Sequence, residues 1–277
     1  MKKYALKYGF VVASILFLFA NFVACGSQFY QVTMKDDFQE EKLSQEALDP
    51  NSQQYGIHAL NGWYELPINF RFGQNLNEVQ KKALKTAMKS WEDAVGQTLF
   101  SYQGIHTGVT GDSFGDLYSS LNDNINGNYL DYNWKKTSKP TVVLATTIWN
   151  NLSTDRSQIA DADIRFNDEN YIIGDSLYMT GTDDKNIVDM ESLALHELGH
   201  LLGLAHVEAD VDPNSIMNPH LYIGEGLTSR KISRGDILRI QKIYGCEGNA
   251  CDVDQIVENI ELNKTPGLVQ ANSGQTH

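Results

Sequence analysis

Residues 196–206 read HELGHLLGLAH, and the way this stretch must bend decides the fold around it. Upstream, Asp189 stands where it can cap a helix whose apolar residues Met190, Leu193, Ala194, Leu198, Leu201 and Leu202 cover its buried sides. On that helix His196 and His200 are four apart, so they share one face, one turn above each other. Glu197 is turned by about 100° from His196. His206 cannot join them along the same axis, because six residues past His200 it would lie roughly 9 Å further on. The chain has to leave the helix and double back before 206. Gly203 stands at the required break, since glycine accepts the left-handed turn that ends helices.

If the three imidazoles meet, they make one metal site with nitrogen ligands and no thiolate. Such a set leaves a position for water and fits a catalytic Zn²⁺ better than a closed structural one. The metal brings the water's pKa toward about 7, and Glu197, addressing the ion's open side without ligating it, serves as general base. The competing reading of the same residues is a set of satisfied core histidines on an ordinary helix.

Outward from the motif, "LPINFRF" puts Leu66, Ile68, Phe70 and Phe72 on one face at period two, a strand. "NLNEVQKKALKTAMKSWEDAVG" follows as an amphipathic helix, with Val79, Ala83, Ala87, Trp91 and Val95 every four residues. Asn77 and Gln80 form its cap and Gly96 its stop. Residues 104–140 read mainly as loop. Within it Asn122, Asn124, Asn126 and Gly127 imitate the start of a calcium loop, although an aspartate normally opens one, so Ca²⁺ is a second, open cofactor reading. "TVVLATT" is a short buried strand. "ADADIRFND" alternates Ala162, Ile164 and Phe166 against a wet face of Asp161, Asp163 and Arg165, and "SLYMTG" is a further short strand. "SRGDILRIQKIYG" is a helix capped by Ser233 and Asp236, with Ile237, Ile240 and Tyr244 inward. The order of elements implies an α+β or α/β domain with one sheet.

HELGHLLGLAH resembles the HExxHxxGxxH signature of the metzincin zinc proteases, and "SIMNPHL" places Met217 where that family has its methionine turn. "DADIRFN" and "SRGDILRIQKIYG" are similar to matrixin-type sequences of bacteria. The resemblance implies a twisted, mostly parallel five-stranded sheet with an active-site helix and a C-terminal helix. It also implies a zinc endopeptidase with His196, His200 and His206 as ligands and Glu197 as catalytic base, acting on a protein or peptide substrate. A substrate would lie extended along a sheet edge, expected at Ser176–Gly181, with Leu221 and Tyr222 walling the pocket just past the scissile bond. The sequence departs from animal matrix metalloproteases in having Val207 after the third histidine and no "PRCG" switch. The other histidines, His58, His106, His220 and His277, lack family spacing, and one zinc is expected. A non-catalytic surface lipoprotein that grips proteins through the same domain is the alternative.

Residues 1–24 read as a signal peptide, with Lys2, Lys3 and Lys7 before an apolar run from Gly9 to Ala24; a membrane-spanning anchor is the other reading, although Ser14 and Asn21 interrupt the run. Phe22-Val23-Ala24-Cys25-Gly26 resembles the lipobox of bacterial lipoproteins, which implies lipid on Cys25; ordinary cleavage after Gly26 is the competitor. Export follows on either reading, membrane-anchored at an outer membrane or cell surface, or secreted. Residues 25–56 are a polar tether or a short pro-segment, 57–246 the catalytic domain, and 247–277 an acidic, polar tail. With Cys25 lipidated, Cys246 and Cys251 remain as a pair that an oxidising compartment closes into a disulfide; two free thiols are the other reading. With 42% hydrophobic and 21% charged residues the composition is globular. A net charge of −13 carries no basic footprint for nucleic acid. A monomer is expected.

Overall fold

The computed structural model describes residues 30–33, 45–119 and 123–262. The expected signal peptide, Cys25 and Asn122 lie outside them, as do residues 263–277. The described elements begin with strand β1 (Tyr30–Thr33) and the short helix α1 (Gln45–Leu48). The main body then runs β2 (Ile68–Gly73), α2 (Glu78–Val95), β3 (Phe100–His106), β4 (Asn126–Asp131), β5 (Ala145–Asn151) and β6 (Ile159–Asn167). After it come β7 (Ile172–Gly174), β8 (Ile187–Asp189), α3 (Met190–Leu201), β9 (His220–Ile223), α4 (Arg234–Tyr244) and α5 (Val253–Leu262).

Five strands form one sheet in the order β3-β2-β4-β6-β5, parallel throughout except for the antiparallel β5–β6 pair. This is the mostly parallel five-stranded sheet expected, with α2 and α3 packed together over it. Ile68, Phe70 and Phe72 are buried from β2 at period two, whereas Leu66 is exposed and precedes the strand.

Helix α2 starts at a full capping box. Asn77 Oδ1 accepts from the Gln80 N–H at 3.0 Å, and Gln80 Oε1 accepts from the Asn77 N–H at 2.8 Å. Its buried stripe is Gln80, Leu84, Ala87, Met88, Trp91 and Val95, so Val79 is exposed, contrary to the four-residue spacing read from the sequence. Gln80 faces inward because its amide also donates to the Ile173 carbonyl at 2.7 Å, which satisfies a buried polar group.

Three strand expectations need correction. The supposed loop 104–140 contains β4, a central strand with only Tyr129 and Leu130 as large apolar residues. Its first residue is spent on neighbouring backbone instead: Asn126 donates to Asn69 O at 2.8 Å and accepts from Ala162 N at 2.9 Å. "TVVLATT" enters the sheet only at Ala145, and β5 continues to Asn151. Residues 176–181 form no strand. The outermost sheet strand that touches α3 is β5, and the two short strands β7 and β8 pair with each other in parallel.

The polar face of β6 is dry at two of its three residues, Asp161 being half-buried. Asp163 and Arg165 are as buried as the apolar residues between them. The Arg165 guanidinium bonds Asp131 Oδ2 through Nε at 3.1 Å and through Nη2, and donates from Nη1 to the carbonyls of Asp116 and Leu117 at 2.5 Å. It also lies 4.2 Å over the Phe114 ring. Asp131 of β4 and a loop folded across the face together replace water at the guanidinium.

The packed body extends past 246, where the catalytic domain was expected to end. Cys246 and Cys251 are disulfide-bonded, Ala250 and Ile256 join the core, and the Glu247 N–H reaches Val95 O at 2.8 Å. Before the sheet begins, β1 pairs antiparallel with β9, Tyr30 opposite Ile223 and Thr33 opposite His220.

Replacing Arg165 by Met strands the Asp131 carboxylate in the core. We expect a loss of about 3–5 kcal/mol of stability, partly recovered when Asp131→Asn is added. Denaturant melts of the three variants measure it, and a loss below about 0.5 kcal/mol for Arg165→Met would rule out this role.

Candidate metal centre

Helix α3 is pinned at both ends before it presents any ligand. At its start Asp189 Oδ1 accepts from the Ser192 N–H at 2.9 Å, and Arg230 Nε donates to the same oxygen at 3.0 Å while its Nη2 reaches Asp175 at 2.6 Å. At its end the last carbonyls, which a helix leaves without internal partners, find donors elsewhere in the chain. Trp63 Nε1 donates to Leu201 O at 2.7 Å and the Tyr244 hydroxyl to Leu202 O at 2.9 Å. His58 Nε2 lies 2.8 Å from His200 O.

Gly203 then turns the chain at φ +106°. A Cβ there would also lie 2.8 Å from Ala59 O, so both the turn and the close approach exclude a side chain. The turn is strapped by residues 55–63: the N–H groups of His58 and Ala59 both donate to Gly203 O, and the Ala205 N–H donates to Gly56 O. The Tyr55 hydroxyl receives the Glu208 N–H at 2.9 Å. His58 is stacked on Trp149 at 4.1 Å between ring centres, and burial pulls its pKa down to about 3, so it stays neutral and donates.

His206 thereby returns to the helix. The ligand nitrogens of His196, His200 and His206 all lie within 4.8 Å of one another, with the Nε2 atoms of the first two 3.0 Å apart. His196 Nδ1 is 2.7 Å from Ile216 O, and His200 Nδ1 is 2.8 Å from Leu204 O. Because a carbonyl only accepts, each Nδ1 carries the proton and each Nε2 turns its lone pair inward. Burial, then the neighbouring charges of His200 and His206, push the His196 pKa well below its ordinary value. The His196 ring therefore favours the neutral form a metal needs.

The carbonyl that orients His196 is itself held. Asp236, in the capping box of α4, accepts from the Ile216 N–H at 2.9 Å and from the Ser215 hydroxyl at 2.6 Å. Met217 follows, fully buried, and its carbonyl receives the Val207 N–H at 2.9 Å. Its sulfur lies so close to Gly199 that a Cβ there would be 2.3 Å away. Gly199, between the two helix histidines, is thus a packing requirement that the motif itself does not announce.

Residues 131–245 match the matrixin peptidase family. The segment that holds the three histidines is thus matrixin-like. The chain is 37% identical over 86 residues to metalloendoproteinase 2-MMP of Arabidopsis thaliana, covering 30% of this chain and 20% of that protein. Matrix metalloproteinase-25 of Mus musculus is 36% identical over 85 residues, 30% of this chain and 12% of its own length. Matrilysin of Homo sapiens is 44% identical over 57 residues, 21% and 20% respectively. The matched part thus spans a fifth or less of each of these three relatives.

The domain gathers His196, Glu197, His200, Gly203, His206 and Met217 in one place. Asn126 donates to Asn69 O and accepts from the Ala162 N–H, while Asn122, where the calcium-loop reading begins, lies outside the described residues. Sequence reasoning missed His58, which it grouped with the scattered histidines, and Thr147, whose hydroxyl is 2.7 Å from Glu197 Oε2. Neither carries a periodic or spacing signal.

Glu191, in the first turn of α3, has its pKa raised to about 7 by burial, against the pull of Arg230. A raised carboxyl pKa contributes stability at low pH that is lost as pH climbs from about 4.5 through 7. We therefore expect Glu191→Gln to match the parent near pH 4 and to exceed it by on the order of 3 kcal/mol at pH 8. Melting curves across that range decide it; a pH-independent difference would remove the titration from the account.

Proposed function

We propose that this chain is a zinc-dependent endopeptidase that hydrolyses peptide bonds in proteins. The observation that carries the reading is the convergence of three imidazole nitrogens on one helix and its strapped return, with the buried Glu197 next in sequence to His196. The donor set fits the ion: tetrahedral ligands at about 2.0–2.1 Å stand about 3.3 Å apart, and the 3.0 Å between the Nε2 atoms of His196 and His200 is of that size. Three neutral nitrogens keep the charge of a bound ion undiluted and leave a coordination position open.

His196, His200 and His206 would hold the zinc. When bound, zinc supplies a Lewis acid that polarises the peptide carbonyl and acidifies a water molecule. Glu197 takes a proton from that water as its oxygen bonds to the carbonyl carbon. As the C–N bond breaks, Glu197 passes the same proton to the departing nitrogen, so it ends the cycle as it began. The substrate lies extended along β5, the outermost sheet strand touching α3, where backbone hydrogen bonds select for an unfolded stretch. Tyr222, exposed on β9, and Leu221 behind it border the pocket past the scissile bond.

Residues 25–56 serve as a short pro-segment in this reading. The pairing of β1 with β9 favours it over a plain tether, because β9 begins three residues after Met217 and a strand laid on it competes with substrate. Export by residues 1–24, followed by release or by lipid on Cys25, completes the proposal. It takes one zinc per chain and acts as a monomer.

Glu197→Ala should keep one zinc per chain and lose peptide cleavage by about 10²-fold or more. Metal analysis beside cleavage of a mixed peptide library tests both halves. Retained cleavage would refute the general base, and loss of the metal from the parent would refute the site. If both proteins hold zinc and neither cuts, a protein-binding role gains the ground. Removing residues 25–44 should raise kcat/KM by roughly fivefold or more at unchanged zinc content; an unchanged or lower kcat/KM would leave only the tether.

A further inference from the structure

We infer that Thr147 is a positioning residue for Glu197: its hydroxyl holds the carboxylate in the one orientation from which it meets the reacting water. The inference rests on the endopeptidase reading above and concerns a residue that neither the zinc motif nor the domain match singles out.

Thr147 lies in β5 with no exposed surface, and Glu197 is 2% exposed. The Thr147 Oγ1 is 2.7 Å from Glu197 Oε2 and 3.0 Å from the Glu197 carbonyl oxygen. A hydroxyl has one proton, so only one of these contacts is a donated bond at any moment. The main-chain oxygen sits inside α3, where the N–H four residues on is its ordinary donor. The carboxylate is the closer acceptor and carries charge, and charge-assisted bonds are the shorter and stronger ones. The proton therefore goes to Oε2.

Two consequences follow. A buried carboxylate is costly unless hydrogen-bonded, and Thr147 lowers that cost without neutralising it. A glutamate side chain also has three rotatable bonds, and the anchor at Oε2 restricts them while β5 and α3 are held at a fixed distance by the sheet. A lysine or arginine at the same place would hold the carboxylate equally well but would suppress its basicity. A hydroxyl orients it and leaves it a base. The same strand that would receive the substrate thus carries the group that aims the base, so strand and base cannot shift independently.

The test uses the full chain with substitutions Thr147→Val, Thr147→Ala and Thr147→Ser. Valine keeps the shape and removes the hydroxyl. We expect kcat to fall about 10- to 100-fold with KM within about twofold, since the interaction serves the reacting step and not peptide binding. Serine restores the hydroxyl and should recover most of kcat, whereas alanine, leaving a similar gap, should not. This serine–alanine contrast stands even if the valine protein folds poorly. A second readout needs no activity: melting temperatures of the parent, Thr147→Val, Glu197→Ala and the double variant form a cycle. A coupling of at least about 2 °C is expected if the two side chains interact. Equal kcat for the serine and alanine proteins, or zero coupling in the cycle, overturns the inference. A parent that holds zinc but cleaves nothing defeats the endopeptidase reading instead, and the melting cycle still reports on the contact.

Discussion

The reversal of the chain at Gly203 is the constraint on which the rest of the molecule depends. A helix supplies two ligands at no extra cost in geometry, but the third can arrive only if the helix stops within one turn and the chain returns alongside it. Stopping a helix in a buried place exposes carbonyl oxygens that would cost roughly 1–3 kcal/mol each if left without donors. Here His58, Trp63 and Tyr244, from both flanks of the domain, supply those donors. The segment before the sheet and the last turn of α4 are therefore part of the centre, though neither contributes a ligand.

The same economy governs the second nitrogen of each helix histidine. Ile216 O and Leu204 O fix the tautomers of His196 and His200, and both carbonyls belong to segments held by further bonds. For His196 the chain of contacts reaches Asp236, which caps α4 and receives the Ile216 N–H. Burial raises the Asp236 pKa, while the hydroxyl and amide protons it receives oppose that shift. One carboxylate thus starts the C-terminal helix and sets the loop that orients a ligand, so α4 and α3 are placed by a shared residue.

Burying polar groups against specific partners recurs in this fold. Arg165 with Asp131 and Gln80 with Ile173 sit where apolar side chains are usual, and Arg230 with Asp189 and Asp175 is half-buried. Such networks are weaker sources of stability than apolar packing, but they tolerate few alternative arrangements. A centre whose ligands must meet within a few tenths of an ångström gains more from a single arrangement than from extra stability.

Much of this was legible in the residues alone, wherever the signal is local. The helix of His196 and His200, its Asp189 cap, the break at Gly203, the capping boxes of α2 and α4 and the period-two face of β2 are all decided within about ten residues. Backbone geometry and short-range hydrogen bonds are enough there. Tertiary structure decided what depends on a distant partner. Arg165 reads as solvent-facing until the loop carrying Phe114 and Leu117 closes over it, and Val79 and Gln80 exchange roles once Ile173 offers a carbonyl. β4 is hidden in the sequence because its stability comes from side chains bonded to other strands. β5 becomes the outer strand beside the carboxylate only through sheet order, which no local pattern encodes. The physical reason is common to all of them: a residue's periodicity reports which way it points, but only the chain that folds over it determines what it meets.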